Sequence, residues 1–133
     1  ASCFNYSRCL LTCELLNMNY LLILNDAPYG TERSYNGLRL AGALVKQPGN
    51  AISVFLMGDA VACAIAGQRT PNGYYNIERM LKGLANKRAT VGLCGSCMDA
   101  RGVQADSIVD GAQRSSLDEL TAWTQEADKV LIF

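Results

Sequence analysis

Short apolar runs alternate with amphipathic segments along most of this chain. Residues 20–24 read Tyr-Leu-Leu-Ile-Leu, an uninterrupted apolar run typical of a strand that is buried on both faces of a parallel sheet. Comparable runs predict further strands at 52–57, 90–93 and 129–133, and a short strand is expected at 108–109. The spaces between these runs are long enough to hold a helix each.

Helical signals fill those spaces. Residues 31–46 carry apolar positions at helical spacing, and Pro48-Gly49 ends the pattern. Serines at 96 and 116 each begin a capping-box pattern, which marks a helix start. The predicted helices cover residues 31–46, 60–66, 77 onward behind an Asn76 cap, 96–102 and 116–127. Strands alternating with helices imply right-handed crossovers and an α/β fold whose mostly parallel sheet is covered on both faces.

Composition narrows the class of protein. The 133 residues suffice for one domain, and half of them are apolar, so a packed core is expected. The 12 basic and 12 acidic residues balance, which argues against direct nucleic-acid binding, and no apolar run is long enough for a membrane span. The chain has no histidine, so catalysis by Ser-His or Cys-His pairs and histidine metal ligation are excluded.

The six cysteines do not indicate a secreted disulfide scaffold. The chain shows no convincing secretory signal and its remainder is core-forming, so we expect a cytoplasmic protein with reduced thiols. Residues 1–17 contain three of these cysteines without clear periodicity. We interpret them as an upstream extension or a vector-derived segment before an α/β domain at 18–133; the alternative is a genuine helix over 7–16.

Three loops follow predicted strands and should meet at the carboxyl edge of the sheet, where open parallel sheets place their ligands. Asp26 is most simply a turn residue, Asp59 most simply a helix N-cap, and Cys63 most simply a core residue. The candidates along this rim are Asn25, Asp26, Tyr29, Gly58, Asp59, Gly95, Ser96 and Arg101, together with Cys94 and Cys97.

Cys94 ends a predicted strand just before a helix start, where free backbone amides favour a thiolate and lower the pKa of the thiol. Gly95 leaves room for a second sulfur, and Arg101 adds positive charge. By spacing alone, the Cys94–Cys97 pair fits a dithiol redox centre, a persulfide carrier, or two buried small residues. A complete zinc site is improbable because Cys63 is the only other cysteine in the domain, so we expect neither metal nor cofactor.

Four segments resemble the DsrE/DsrF-like family, in the family's order. They are the first strand and loop (20–30), the second strand and turn (54–61), the cysteine segment (91–103) and the closing strand (127–133). The resemblance implies a three-layer α/β/α fold with a mostly parallel five-stranded sheet, assembled as a homotrimer or homohexamer. It also implies that Cys94 occupies the position of the cysteine that carries a persulfide in sulfur-relay members.

This sequence departs from the family pattern at Cys97, where relay members have a small apolar residue, and in the run that follows Cys94. The leading hypothesis is therefore an intracellular persulfide carrier or sulfurtransferase, with Cys97 as a second thiol. Its partners would be sulfur donor and acceptor proteins or small thiols. The alternatives are a non-catalytic oligomeric protein that binds a small ligand, and a dithiol redox protein that uses Cys94 and Cys97.

Overall fold

The computed structural model describes residues 17–133, and the hypotheses on residues 1–16 lie outside this part of the chain. Five strands are present: β1 (Met18–Leu24), β2 (Asn50–Leu56), β3 (Thr90–Cys94), β4 (Ala112–Ser115) and β5 (Lys129–Ile132). The α-helices are α1 (Arg33–Leu44), α2 (Ile77–Asn86), α3 (Gly95–Ala100) and α4 (Leu117–Glu126), and 3-10 helices cover Gly58–Ala64 and Ala105–Ser107.

The strands form one sheet in the order β4-β3-β2-β1-β5, and every neighbouring pair is parallel. All strands therefore end at the same edge, so the loops that follow them share one rim. This confirms the predicted α/β fold with a five-stranded sheet, and the sheet is parallel throughout.

Side chains alternate between the two faces of the sheet. One face carries the larger core, in which Leu22, Val54 and Leu93 pack against α1, α2, α3 and the first 3-10 helix. The opposite face carries a smaller core of Leu21, Phe55 and Leu120, which is covered by α4. Helices thus form a layer on each side, and the α4 layer is the thinner one.

The fourth strand is not where the sequence pattern placed it. Ile108, in the predicted strand at 108–109, forms only an isolated antiparallel bridge to Ile65. The strand lies at 112–115 instead, with partly or fully exposed side chains. It is an edge strand with one neighbour, and an edge position does not require the apolar run that marks a central strand.

Two predicted helix caps are also wrong. The helix after β3 begins at Gly95, so Cys94 occupies the N-cap position that the pattern gave to Ser96. The first 3-10 helix has Met57 at its N-cap, and Asp59 lies within its first turn. The predicted caps at Asn76 and Ser116 are confirmed, since each side chain accepts a hydrogen bond from the backbone amide three residues later. None of the helices within residues 17–133 combines the length and apolarity needed to cross a membrane.

Candidate functional site

Cys94 lies at the junction between β3 and α3, at the carboxyl edge of the sheet. Its side chain is partly buried and packs against the smaller core beneath α4. On the neighbouring edge strand, Ser115 is its partner in the parallel register. The thiol therefore lies where an open parallel sheet exposes reactive groups, with one side available to solvent.

Hydrogen bonding favours the thiolate form of Cys94. Its Sγ lies 3.3 Å from the Ser96 hydroxyl oxygen. Partial burial raises the pKa of Cys94, but interactions of the thiolate with the Cys97 thiol, the Ser96 hydroxyl and the backbone amides of both residues outweigh this effect. The pKa of Cys94 consequently lies below its ordinary value, and the nucleophilic form is enriched at neutral pH.

Cys97 has the opposite tendency. The adjacent Cys94 and partial burial raise its pKa, and the Gly58 backbone amide and the Arg101 charge offset this only in part. The first proton to leave the pair therefore leaves Cys94. Cys97 packs against the larger core, and Cys94 packs against the smaller core on the opposite face of the sheet.

Cys63 is a core residue, as predicted. It is fully buried, and its thiol lies 3.7 Å from the backbone carbonyl of Asp26. Desolvation by burial raises its pKa to about 12. Cys63 therefore keeps its proton at neutral pH and does not compete with Cys94 as a nucleophile.

Arg101 joins the loop after β2 to helix α3. Its guanidinium donates to Asp59 Oδ1 from Nε at 3.0 Å and from Nη2 at 2.9 Å. Its Nη1 also donates to the Cys97 carbonyl at 3.2 Å. Gly58 has a positive φ of 53°, and its backbone amide lowers the pKa of Cys97. Gly58, Asp59 and Arg101 are thus brought together around Cys97 rather than Cys94.

Arg114 is the functional candidate that sequence reasoning missed. It donates two hydrogen bonds to the Asp99 carboxylate, at 2.7 and 2.8 Å, and these bonds hold the pKa of Asp99 below its usual value. Its guanidinium lies over Gly95, where a Cβ would stand only 2.8 Å from Arg114 Cζ. Its charge also interacts with Cys94. The available signal was the position of Arg114 just before the Ser116 helix cap, where a strand that precedes the helix would end.

A cavity of about 360 Å³ opens beside Cys94. Its apolar wall includes Phe55, Met57 and Leu120, and its polar lining includes Ser96 and Arg114. The Ser115 hydroxyl is buried in this lining and has no hydrogen-bond partner among residues 17–133. The volume falls in the range of small-molecule sites, and the Ser115 hydroxyl leaves one buried polar group unsatisfied beside the cavity.

Three rim candidates, Asn25, Asp26 and Tyr29, make their hydrogen bonds with residues other than Cys94. The side-chain and backbone amides of Asn25 both donate to the Phe133 carbonyl, each at 3.0 Å. Asp26 accepts from the Thr31 hydroxyl, and Tyr29 hydrogen-bonds with Gln68 and with the Ile77 amide at the start of α2. These contacts anchor loops and do not reach Cys94. Within residues 17–133, no group of three or more Cys, Asp or Glu is arranged to hold a metal ion.

Comparison with known proteins agrees with this architecture. Residues 18–133 match the model of the DsrE/DsrF-like family. Protein YchN of Escherichia coli is 44% identical over 114 residues, which cover 85% of this chain and 97% of YchN. Uncharacterized protein MJ0989 of Methanocaldococcus jannaschii is 32% identical over 87% of this chain and its own full length.

Solved structures show the same fold. The crystal structure of YchN from E. coli superposes with a TM-score of 0.83 at 42% identity, covering 87% of this chain and 99% of that one. A Bacteroides thetaiotaomicron protein of unknown function, BT1422, gives a TM-score of 0.64 at 18% identity, covering 86% and 94% of the two chains. The resemblance seen in the sequence is thereby confirmed, and the chain belongs to the DsrE/DsrF-like family.

Proposed function

We propose that this protein is a persulfide carrier, or sulfurtransferase, in which Cys94 holds the transferred sulfur. The observation that carries the proposal is the thiolate-stabilising environment of Cys94 at the mouth of a cavity of about 360 Å³. Membership of a family in which sulfur relay is the general activity supports it. The cycle needs only thiol chemistry, so it is compatible with a chain that has no histidine.

In the loading step, the Cys94 thiolate attacks the outer sulfur of a donor persulfide. The donor S–S bond breaks, a new S–S bond forms at Cys94, and the donor leaves as a thiolate. The low pKa of Cys94 favours this step because thiol exchange requires the thiolate. In the unloading step, an acceptor thiolate attacks the outer sulfur and Cys94 leaves as a thiolate. The same environment stabilises the leaving group.

Cys97 adds a second route. If its thiolate attacks the inner sulfur of the Cys94 persulfide, hydrosulfide leaves and a Cys94–Cys97 disulfide forms. Two external thiols then reduce this disulfide and become oxidised themselves. Before loading, the raised pKa of Cys97 leaves Cys94 as the thiolate of the pair, so Cys94 and not Cys97 takes up the sulfur.

The lowered pKa of Cys94 beside the raised pKa of Cys97 is also the observation that favours a dithiol redox protein as the second candidate. There, Cys94 attacks a substrate disulfide and Cys97 resolves the mixed disulfide. A non-catalytic protein that binds a small ligand in the rim is the third alternative. These functions predict different covalent products on the same two residues, so one set of variants separates them.

The test is to incubate the reduced protein with a small organic persulfide and to measure intact and peptide masses. Cys94→Ser, Cys97→Ser and Cys63→Ser are compared with wild type, Cys63 being the matched cysteine away from the rim. We expect one added sulfur on the Cys94 peptide, which is lost only in Cys94→Ser. In Cys97→Ser, which cannot form the Cys94–Cys97 disulfide, the organic group of the donor on Cys94 in place of a single sulfur indicates the redox function instead. Absence of any rim adduct contradicts sulfur transfer and favours the binding protein.

A further inference from the structure

A groove of about 390 Å³ runs between α1 and α2, on the side of the sheet away from α4. Four cationic side chains line it, and none of its lining residues is acidic: Arg39, Lys46, Arg79 and Lys87. Arg39 and Arg79 lie on α1 and α2, and Lys46 and Lys87 lie just beyond the carboxyl ends of these helices. None of the four forms an ion pair with a carboxylate within residues 17–133. The groove is therefore a concentrated positive surface on a chain with no net charge.

A stack of tyrosine rings continues from this groove towards the start of α2. The Arg39 guanidinium lies over the Tyr35 ring, 5.5 Å from its centroid. Tyr35 stacks on Tyr75 at 4.1 Å, and Tyr75 stacks on Tyr74 at 4.5 Å. Tyr74, at the end of the stack, is 54% exposed. Arg39 belongs to both features, so the cations and the aromatic rings form one continuous surface.

We propose that this surface, the α1–α2 groove with its tyrosine stack, binds single-stranded nucleic acid. Phosphates would follow the four cations, and a base would stack on the exposed ring of Tyr74. Single-strand binding sites combine a positive groove with aromatic stacking platforms in this way. The balance of 12 basic and 12 acidic residues argued against such binding, but a sum over the chain does not report local clustering.

A protein partner with an acidic helix fits the surface less well. The cations would serve such a helix, but its apolar side would need an apolar floor. The leucines that line the groove, Leu38 and Leu84, are only 2% and 3% exposed, so the apolar side chains open to a partner helix are Ala43 and the half-buried Met80. The exposed Tyr74 ring would also remain unused. Nucleic acid uses both the charge and the ring, so the observations favour it.

The first test is the salt dependence of binding to a fluorescent single-stranded RNA dodecamer, measured by anisotropy on the full chain. Four phosphate contacts predict a slope of log affinity against log salt of about −2.8, at roughly −0.7 for each contact. Lys46→Gln with Lys87→Gln should weaken the slope by about 1.4. Lys129→Gln, a charge removal on the edge strand β5 at a residue that does not line the groove, should leave it unchanged.

The second test concerns the ring. Tyr74→Ala should weaken RNA binding about fivefold or more through lost stacking, whereas Tyr74→Phe keeps the ring and should bind like wild type. Circular dichroism checks that both variants remain folded.

Any of four results would overturn the proposal. The RNA fails to bind, or it binds with equal affinity to the lysine and tyrosine variants. A poly-glutamate peptide of equal charge binds as tightly as the RNA and ignores Tyr74→Ala, which identifies an acidic-protein surface. Uridine monophosphate binds as tightly as the dodecamer, which identifies a free-nucleotide site.

Discussion

Ser96→Ala is expected to raise the pKa of Cys94 while leaving the fold intact. The Ser96 hydroxyl lies 3.3 Å from Cys94 Sγ and is one of the groups that lower the pKa of that thiol. Ser96 lies inside α3 and makes no capping hydrogen bond, so alanine costs the helix nothing at this position. The substitution therefore isolates the contribution of one hydrogen bond to the nucleophile.

The size of the effect follows from the geometry. A partly exposed hydrogen bond contributes about 1 kcal/mol, so its loss raises the pKa of Cys94 and lowers the ratio of thiolate to thiol about fivefold at a given pH. A thiolate of higher pKa is a better nucleophile, with a Brønsted coefficient of about 0.4–0.5, so the observed rate falls only about two- to threefold. The titration midpoint is the more sensitive readout.

The assay measures the pH dependence of the reaction between Cys94 and a small disulfide, in a Cys97→Ser background that prevents resolution of the product. Mass spectrometry of the Cys94 peptide separates its adduct from those of the other cysteines. Ser107→Ala, at an exposed serine in the 3-10 helix Ala105–Ser107, is the matched control. A midpoint that is unchanged or lower in Ser96→Ala would refute the reasoning, because it would show that the hydroxyl does not stabilise the thiolate.

Four further substitutions test the surroundings. The pKa of the Cys63 thiol is about 12 in the native protein and near 9.0 in the unfolded chain, so between these pH values only the native state keeps the proton. The free energy of unfolding should therefore fall by about 1.4 kcal/mol for each pH unit in this window. Urea titrations should show a shallower decline for Cys63→Ala, and an identical slope would contradict the assignment. Gly92→Ala should destabilise by about 1–3 kcal/mol, because the new Cβ would lie 2.9 Å from the Trp123 ring. Gly83→Ala, on a helix with open space around the new Cβ, should stabilise the protein by about 0.5–1 kcal/mol in the same urea assay. If Gly83→Ala were the less stable of the two glycine variants, the close contact between Gly92 and Trp123 would be contradicted. Gly95→Ala should displace Arg114 and return the pKa of Asp99 towards its ordinary value, and a carboxyl titration by NMR that matches wild type would contradict this contact.

The central part of the fold could be predicted because its signals are local. The apolar runs of β1, β2 and β3 are buried on both faces, and that burial is what makes the runs continuous. The Asn76 and Ser116 caps were predictable because each acts within one helical turn. The edge strand β4 was misplaced because pairing on one side and exposed side chains leave no such run.

The candidate site was predictable only in part for the same reason. Cys94 was found from its place between a strand and a helix, which is a local property. Arg114 was missed because its contacts with Gly95 and Asp99 depend on the alignment of β4 with β3, which the misplaced strand concealed. Asp59 was assigned to a cap because its distant partner Arg101 has no signature in the local sequence.

The most direct test of sulfur transfer follows the sulfur atom itself. Protein loaded with isotopically labelled sulfur from a small persulfide is separated from the donor and mixed with an acceptor thiol. Our account predicts that the label leaves the Cys94 peptide, appears on the acceptor as a persulfide, and is never loaded in Cys94→Ser. Label that loads equally well without Cys94, or that stays on Cys94 in the presence of the acceptor, would contradict the account.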